Sequence, residues 1–550
     1  MIVKNFVKKR GLLFFLITAT LIGSFFRFYN LNWDSGYLFH PDERNIANAV
    51  VKINFFKQLN PEFFAYGGFP IYLYRATADI LNFFTHKSSW ISSWGDINVI
   101  GRFYSALFSS FTILPLFFLA KDLGGRKIAL LSVTVYAFSV GSIQTAHYAV
   151  TESLITLVVV LVTYFSLQII KKVTLRTTLI LGLIIGVGAA SKITALSFII
   201  IPLSAFFLSV LRKKQIINTF LHLIILVVVA IFTYVIFSPY SILSWGKFLE
   251  SMKYESGVST GSLPVVYTLQ FDKTIPYLFQ LKNLFWQMGI IAFFAEIGFL
   301  FVILKTIFKK EKKLFVFVIF PLIYFLYASS WHTKFIRYMV PTIPFFIISA
   351  AILLEEIKLK YRLFGKILIT FAVVSSILWT LAFFSIYTRG QTRITASKWI
   401  YQNIPAGSKI LTEHWDDGLP VSISNVPPRT YNIEQLTIYD NENGPKAEYY
   451  GTKLANADYI VINSRRLYGT LINLPEKYPI TSRYYKLLFA EKLGYKKVAQ
   501  FTSYPSLFGV EVNDDKSEET FQVYDHPKVI ILKNAERLDK NKIRILLNNG

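Results

Sequence analysis

The sequence predicts an α-helical multi-pass membrane protein of about eleven transmembrane helices followed by an extracytoplasmic α/β domain. Three observations predict it. Of 550 residues, 53% are hydrophobic and only 17% charged, whereas soluble domains carry about 25% charged residues. Apolar runs long enough to cross a bilayer recur through residues 1–387 and stop there. The third observation is where the charge lies: residues 388–550 hold 22 basic and 18 acidic side chains, so the net charge of +25 belongs mostly to the membrane part. Its basic residues sit in clusters between apolar runs. A nucleic-acid partner, which needs a solvated basic face, is therefore not expected.

The first run, 11–29, follows Lys4, Lys8, Lys9 and Arg10 and is followed by Arg27, Phe28 and Tyr29. No small-residue cleavage site is present, so the run reads as a retained anchor. Further spans follow at 98–120, 128–147, 151–170, 177–190, 193–211, 217–237, 285–306, 314–330, 338–354 and 366–387. The runs at 177 and 193 are short, and only Gly188 to Lys192 separates them, which suggests half-deep helices around a cavity. Ile71 to Phe84 is also apolar, but it is short and contains Arg75 and Asp79. It reads as an amphipathic helix lying on the outer surface.

Alternate connections are short and basic: Lys121, Arg126 and Lys127; Lys171, Lys172 and Arg176; Arg212, Lys213 and Lys214; Lys305 to Lys313; Lys358 to Lys366. With the N-terminal cluster these are cytoplasmic by the positive-inside rule. Loops 30–98 and 238–283, and the tail from 388, then face outward. The tail alternates a helix at 396–403 with strands at 409–413, 459–463, 497–502 and 529–533, the pattern of a small α/β domain. Cysteine is absent, so disulfides and thiolate metal sites are excluded.

Polar chemistry gathers at the outer interface. Loop 30–98 opens with His40-Pro41-Asp42-Glu43-Arg44. Pro41 and the two acids would suit the first turn of a surface helix. Adjacent helical residues point about 100° apart, so Asp42 and Glu43 have different tasks, one facing a reaction centre and one holding the loop. Glu152 lies at the outer mouth of its span, where it needs partners or water; capping by Thr151 is the plainer reading. Glu296 lies inside a run and either lines a cavity or pairs with a basic side chain to hold helices together, the pairing being the plainer reading. Lys192 sits between two short helices and requires an anion. On a helix Lys334, Arg337 and Tyr338 share one face. That face suits a phosphate at Arg337 and Tyr338, while Lys334 reads as snorkelling to headgroups. Arg102, at the outer start of its span, is a further phosphate candidate.

The acidic pair after the first span, a second acid outside the third, a Lys between short helices and the late Arg337-Tyr338-x-x-Pro341 together resemble the polyprenyl-phosphate-dependent glycosyltransferases of the C superfamily (GT-C). Within it the chain is similar to bacterial relatives of the dolichyl-phosphate-mannose protein mannosyltransferases and of the aminoarabinose transferases that modify lipid A. The motifs are most specific at His40 to Arg44 and Lys334 to Pro344. The tail segments Thr412 to Pro420 and Tyr524 to Pro527 also look like bacterial members. Glu152 stands where an Asp is commoner in the family, and the tail lacks the β-trefoil features of eukaryotic mannosyltransferases.

The resemblance implies an inverting transfer from a polyprenyl-phosphate sugar to a hydroxyl of a protein, lipid or glycan, at the outer face of the cytoplasmic membrane. It implies Asp42 as base, Glu43 and Glu152 orienting acceptor or loop, and Lys192, Arg337, Tyr338 and Arg102 on the donor phosphate. A divalent cation held by the acids stays open. The other class is a transporter or lipid flippase, which would place its charges near the midplane and repeat its halves; no repeat is present.

Overall fold

A computed structural model of the chain describes residues 2–213, 216–424 and 426–548. The clusters Lys4 to Arg10 and Arg212 to Lys214 lie outside the described side chains. Two compact units divide the chain: Met1–Asn32, His40–Leu263 and Ile275–Leu381 form the first, and Trp33–Phe39, Pro264–Thr274 and Ala382–Gly550 the second. The expected boundary near 388 thus falls at 382, and seven residues just ahead of the His40-Pro41-Asp42 motif belong to the second unit.

The first unit is helical. Among the described residues nine helices are long and apolar enough to cross a membrane, or ten if the pair Arg126–Ala137 and Val140–Ala146, bent by 51°, is one span. The fifth expected span, 177–190, is the helix Leu175–Ala189, 15 residues long. At 1.5 Å per residue it reaches about 22 Å, short of a 30 Å hydrocarbon core. Gly68–Thr85 is a helix but not one of the spans, and its Arg75 pairs with Asp79 one turn on at 3.1 Å. The Ile336–Lys360 span is the most enclosed, with 83% of its apolar window buried, against 22% for Gly11–Phe28 and for Ile216–Phe237. The peripheral helices present Phe14, Leu21, Phe220 and Phe232 outward, the surface a lipid solvent accepts. Arg27 is fully buried and ties three helices, donating to Gly23 O, Ser109 Oγ, Ala137 O and Tyr136 O.

The second unit is a layered α/β fold. Its strands are β1 (Lys409–Glu413), β2 (Asn432–Leu436), β3 (Tyr459–Ile462), β4 (Tyr495–Phe501), β5 (Ser506–Leu507), β6 (Val510–Glu511) and β7 (Val529–Asn534). The main sheet runs β2-β1-β3-β7-β4, with β2, β1 and β3 parallel to one another and β7 antiparallel to both its neighbours, β3 and β4. Successive strand residues face opposite sides. Ile410, Val461, Val529 and Ile531 therefore pack with Ala396 and Ile400 on one face, and Leu411, Ile460, Ile462, Ile530 and Leu532 with Tyr450, Tyr484 and Leu547 on the other. Covering both faces makes the central strands near-continuous apolar runs. β2 is an exposed edge with the sequence Asn-Ile-Glu-Gln-Leu, which carries no such run.

The two tail segments that carried part of the resemblance are internal ties. His526 is buried between Asp525 (Nδ1 to Oδ1, 2.5 Å) and Asp514 (Nε2 to Oδ2, 2.7 Å). Burial opposes its charge, but the two carboxylates outweigh that and push it up to about 10. Asp416 accepts from Ser464 Oγ at 2.6 Å and from Arg393 Nη2 at 3.2 Å, and the Arg393 guanidinium lies 5.0 Å over the Phe39 ring.

Candidate active site

Asp42 and Glu43 open the helix Pro41–Lys52, with Pro41 at its first position and His40 as the extended residue before it. The preset φ of proline suits that position. The two acids point apart, as the helical turn requires. Glu43 is fully buried. Arg102 grips it from Trp94–Phe111 with two parallel bonds, Nε to Oε1 at 2.8 Å and Nη2 to Oε2 at 2.6 Å, and the Ala149 amide donates to Oε1 at 2.6 Å. Asp42 faces the other way. Its Oδ2 accepts from Arg337 Nη1 at 2.6 Å and from the Tyr66 hydroxyl at 3.1 Å.

A second ion pair stands beside the first. Lys192 Nζ donates to Glu152 Oε1 at 2.9 Å and lies 5.5 Å over the Tyr66 ring. Glu152 is buried, and its Oε2 has no hydrogen-bond partner. The expected capping by Thr151 is absent: the helix Glu152–Lys171 starts without a side-chain cap, and Thr151 Oγ1 is unbonded. What brings Lys192 and Tyr66 together is backbone. Gly67 N donates to Ser191 O at 2.9 Å and Phe69 N to Ala190 O at 3.0 Å. A Cβ at Gly67 would lie 2.0 Å from Ala190 O, so only glycine permits the approach.

Several expectations need correction. Lys334, Arg337 and Tyr338 do not share an α-helical face. Lys334 lies in irregular backbone ahead of Ile336–Thr342, which is a 3-10 helix. Pro341 and Pro344 account for this, because neither donates an N–H, so the α-helical bonds to the Arg337 and Val340 carbonyls cannot form. Lys334 is not snorkelling either: it is 3% exposed, with Nζ on His332 O at 2.8 Å. Burial pulls its ammonium down. Tyr338 sets its ring edge-on against Trp331 and Phe335 and its hydroxyl 3.4 Å from Thr333 Oγ1. Arg102 is fully buried on Glu43 and on Leu31 O, which leaves it no phosphate role. Glu296 has no ion pair among the described residues; it lines a cavity of about 420 Å³ with Leu278, Leu281, Lys282, Phe285 and Trp286.

The structure therefore gathers Asp42, Glu152, Lys192 and Arg337, with Glu43 and Arg102 behind them. Tyr66 is the member that sequence reasoning missed, since an uncharged residue in a long loop carries no signal beyond its two following glycines. Burial disfavours the charge on Asp42, but Arg337, then His40, Tyr66 and Lys192, outweigh it and hold the carboxyl below the usual range. Burial and the Asp42 carboxylate raise the Tyr66 phenol. Burial also brings His40 down to about 3, so it is neutral at physiological pH. Each of these three acids is held by Arg or Lys, and among the described residues no three His, Asp or Glu converge on a metal position.

Residues 93–237 match the family described as dolichyl-phosphate-mannose-protein mannosyltransferase. That stretch holds Arg102, Glu152 and Lys192. The oligosaccharyltransferase AglB of Archaeoglobus fulgidus, solved with an inhibitory peptide and a dolichol-phosphate, superposes with a TM-score of 0.57 at 16% identity, over 92% of this chain and 75% of that one. ArnT of Cupriavidus metallidurans, solved with undecaprenyl phosphate, gives 0.50 at 13% identity, over 96% of this chain and 98% of that one. The chain has the GT-C fold. No curated protein matches it in sequence. The GT-C fold covers nearly the whole chain, while the sequence match is confined to the second to seventh apolar runs.

Proposed function

We propose that this GT-C chain is an inverting glycosyltransferase that moves a sugar from a polyprenyl-phosphate donor to a hydroxyl of a protein, lipid or glycan, with Asp42 as the base. The observation that carries the reading is the pairing of Asp42 with Arg337 at 2.6 Å beside the pairing of Glu152 with Lys192 at 2.9 Å. Carboxylate and phosphate-binding cations thus meet at one place. Lys192 spends one of its three N–H donors on Glu152, and Arg337 presents a planar fork; both can receive the donor phosphate. A phosphate that draws Arg337 away from Asp42 would also restore the basicity of Asp42, so the base strengthens when the donor is in place.

The acceptor proton then passes to Asp42 as the hydroxyl oxygen attacks the anomeric carbon. The carbon–oxygen bond to phosphate breaks, and its electron pair stays on the lipid phosphate, where the two cations stabilise the growing charge. Glu43 and Arg102 hold the helix that carries Asp42. The nature of the sugar, a mannose or another, is part of what the assay below reads. The basic connections between spans, among them Lys121, Lys171 and Lys305, support a cytoplasmic N-terminus, an extracytoplasmic second unit and residence in the cytoplasmic membrane.

Purified protein incubated with radiolabelled undecaprenyl-phosphate sugars and envelope extract tests the reading: covalently labelled product is expected, and its absence with every sugar would overturn it. Arg337→Ala is expected to cost about 3 kcal/mol, roughly 100-fold in donor-limited turnover. Unchanged turnover and donor saturation would remove Arg337 from the phosphate.

A further inference from the structure

The second outer loop brings a fourth acid to this site. The helix Trp245–Thr260 is fastened at both ends to segments that carry site residues. At its start Ser244 Oγ accepts from Asn60 Nδ2 at 3.3 Å, and Phe248 meets the Phe64 ring edge-on at 6.2 Å, two residues before Tyr66. At its end Ser259 O accepts from Thr333 N at 3.1 Å, four residues before Arg337. Gly261, at φ +83°, then turns the chain directly against His332, where a Cβ would lie 2.8 Å from the His332 Cβ. The helix therefore runs from the Tyr66 loop to the Arg337 loop.

Phe248, Met252, Glu255 and Ser259 fall at i, i+4, i+7 and i+11, one stripe of an α-helix. Phe248 fixes where that stripe points, toward the Tyr66 loop. Glu255 lies two turns further along it and is open to solvent. Asp42 is paired with Arg337, Glu43 with Arg102 and Glu152 with Lys192, whereas Glu255 forms no ion pair or hydrogen bond among the described residues. It is close enough to the site to feel it: crowding and then the Asp42 carboxylate push its carboxyl up, while Lys192 and Arg337 pull it down.

We propose that Glu255 is an acceptor-binding residue of this site, taking a hydroxyl of a hydroxyl-rich acceptor without negative charge while a second hydroxyl of that acceptor faces Asp42. This rests on the glycosyltransferase reading above. Both cations are assigned to the donor, so the acceptor meets two carboxylates. Carboxylates accept hydrogen bonds and repel anions, which selects a saccharide or another polyol over an acidic acceptor. An uncommitted carboxylate is also the one that can receive a new donor without breaking an existing pair.

The test is the labelled-product assay on the full chain, with Glu255→Gln and Glu255→Asp beside the parent. The amounts of envelope extract and of undecaprenyl-phosphate sugar that half-saturate the rate are measured separately. For Glu255→Gln the half-saturating extract is expected to rise about tenfold, the donor value to move less than twofold, and Glu255→Asp to recover part of the loss. Unchanged acceptor saturation, or a donor value that shifts as far as the acceptor value, overturns the proposal. Absence of labelled product with the parent protein would instead overturn the function itself.

Discussion

Asp42→Asn is expected to abolish the proposed sugar transfer while the protein stays folded. The substitution keeps the size of the side chain and an oxygen for the Tyr66 hydroxyl, and Asp42 is only part-buried, so no packing is lost. What disappears is proton acceptance, worth roughly 10²–10⁴ in rate. Arg337 also loses its carboxylate partner and is left for the phosphate, so donor affinity is expected to hold or tighten. A rate within tenfold of the parent, measured by labelled product, would remove Asp42 as the base. The parent's pH profile follows from the same pair. Arg337 holds the Asp42 carboxyl below its ordinary range, so the ionised base persists above that lowered value and kcat/KM is lost only as the pH falls through it. In Arg337→Gln the acidic limb moves to higher pH.

The second large effect is structural. Arg102→Ala leaves Glu43 charged, fully buried and without its cation, and removing one partner of a buried pair costs about 3–5 kcal/mol. The helix Pro41–Lys52 then loses the tie that sets its rotation, so thermal unfolding in detergent is expected at markedly lower temperature and activity is expected to fall with it. Arg102→Lys restores the charge but not the parallel fork, and is expected to recover only part of the loss. Wild-type stability in Arg102→Ala would show that Glu43 needs no partner.

The contrast between Arg102 and Arg337 marks how far the sequence could be read. Both are basic residues at ends of spans, and spacing alone cannot say which has a carboxylate behind it. The acid pair after the first span did announce two tasks, because helical geometry separates neighbours, and Glu43 and Asp42 divide them accordingly. Lys192 required an anion, and Glu152 supplies it. Lys334 and Tyr338 were misplaced because two prolines tighten the backbone into a 3-10 turn before the helix begins. Tyr66 was illegible because its position depends on Gly67 meeting Ala190 and Ser191 far along the chain. In the second unit the buried strands were legible from their apolar runs, whereas β2, a polar edge, was not.

The central claim is that the two cations beside Asp42 and Glu152 receive the lipid phosphate. A cryo-electron microscopy structure of the protein with undecaprenyl phosphate tests it most directly. The phosphate is expected within hydrogen-bond distance of Lys192 Nζ and the Arg337 guanidinium, with the Arg337 contact to Asp42 lengthened. A phosphate bound elsewhere, with the pairs Asp42–Arg337 and Glu152–Lys192 unchanged, would contradict the account.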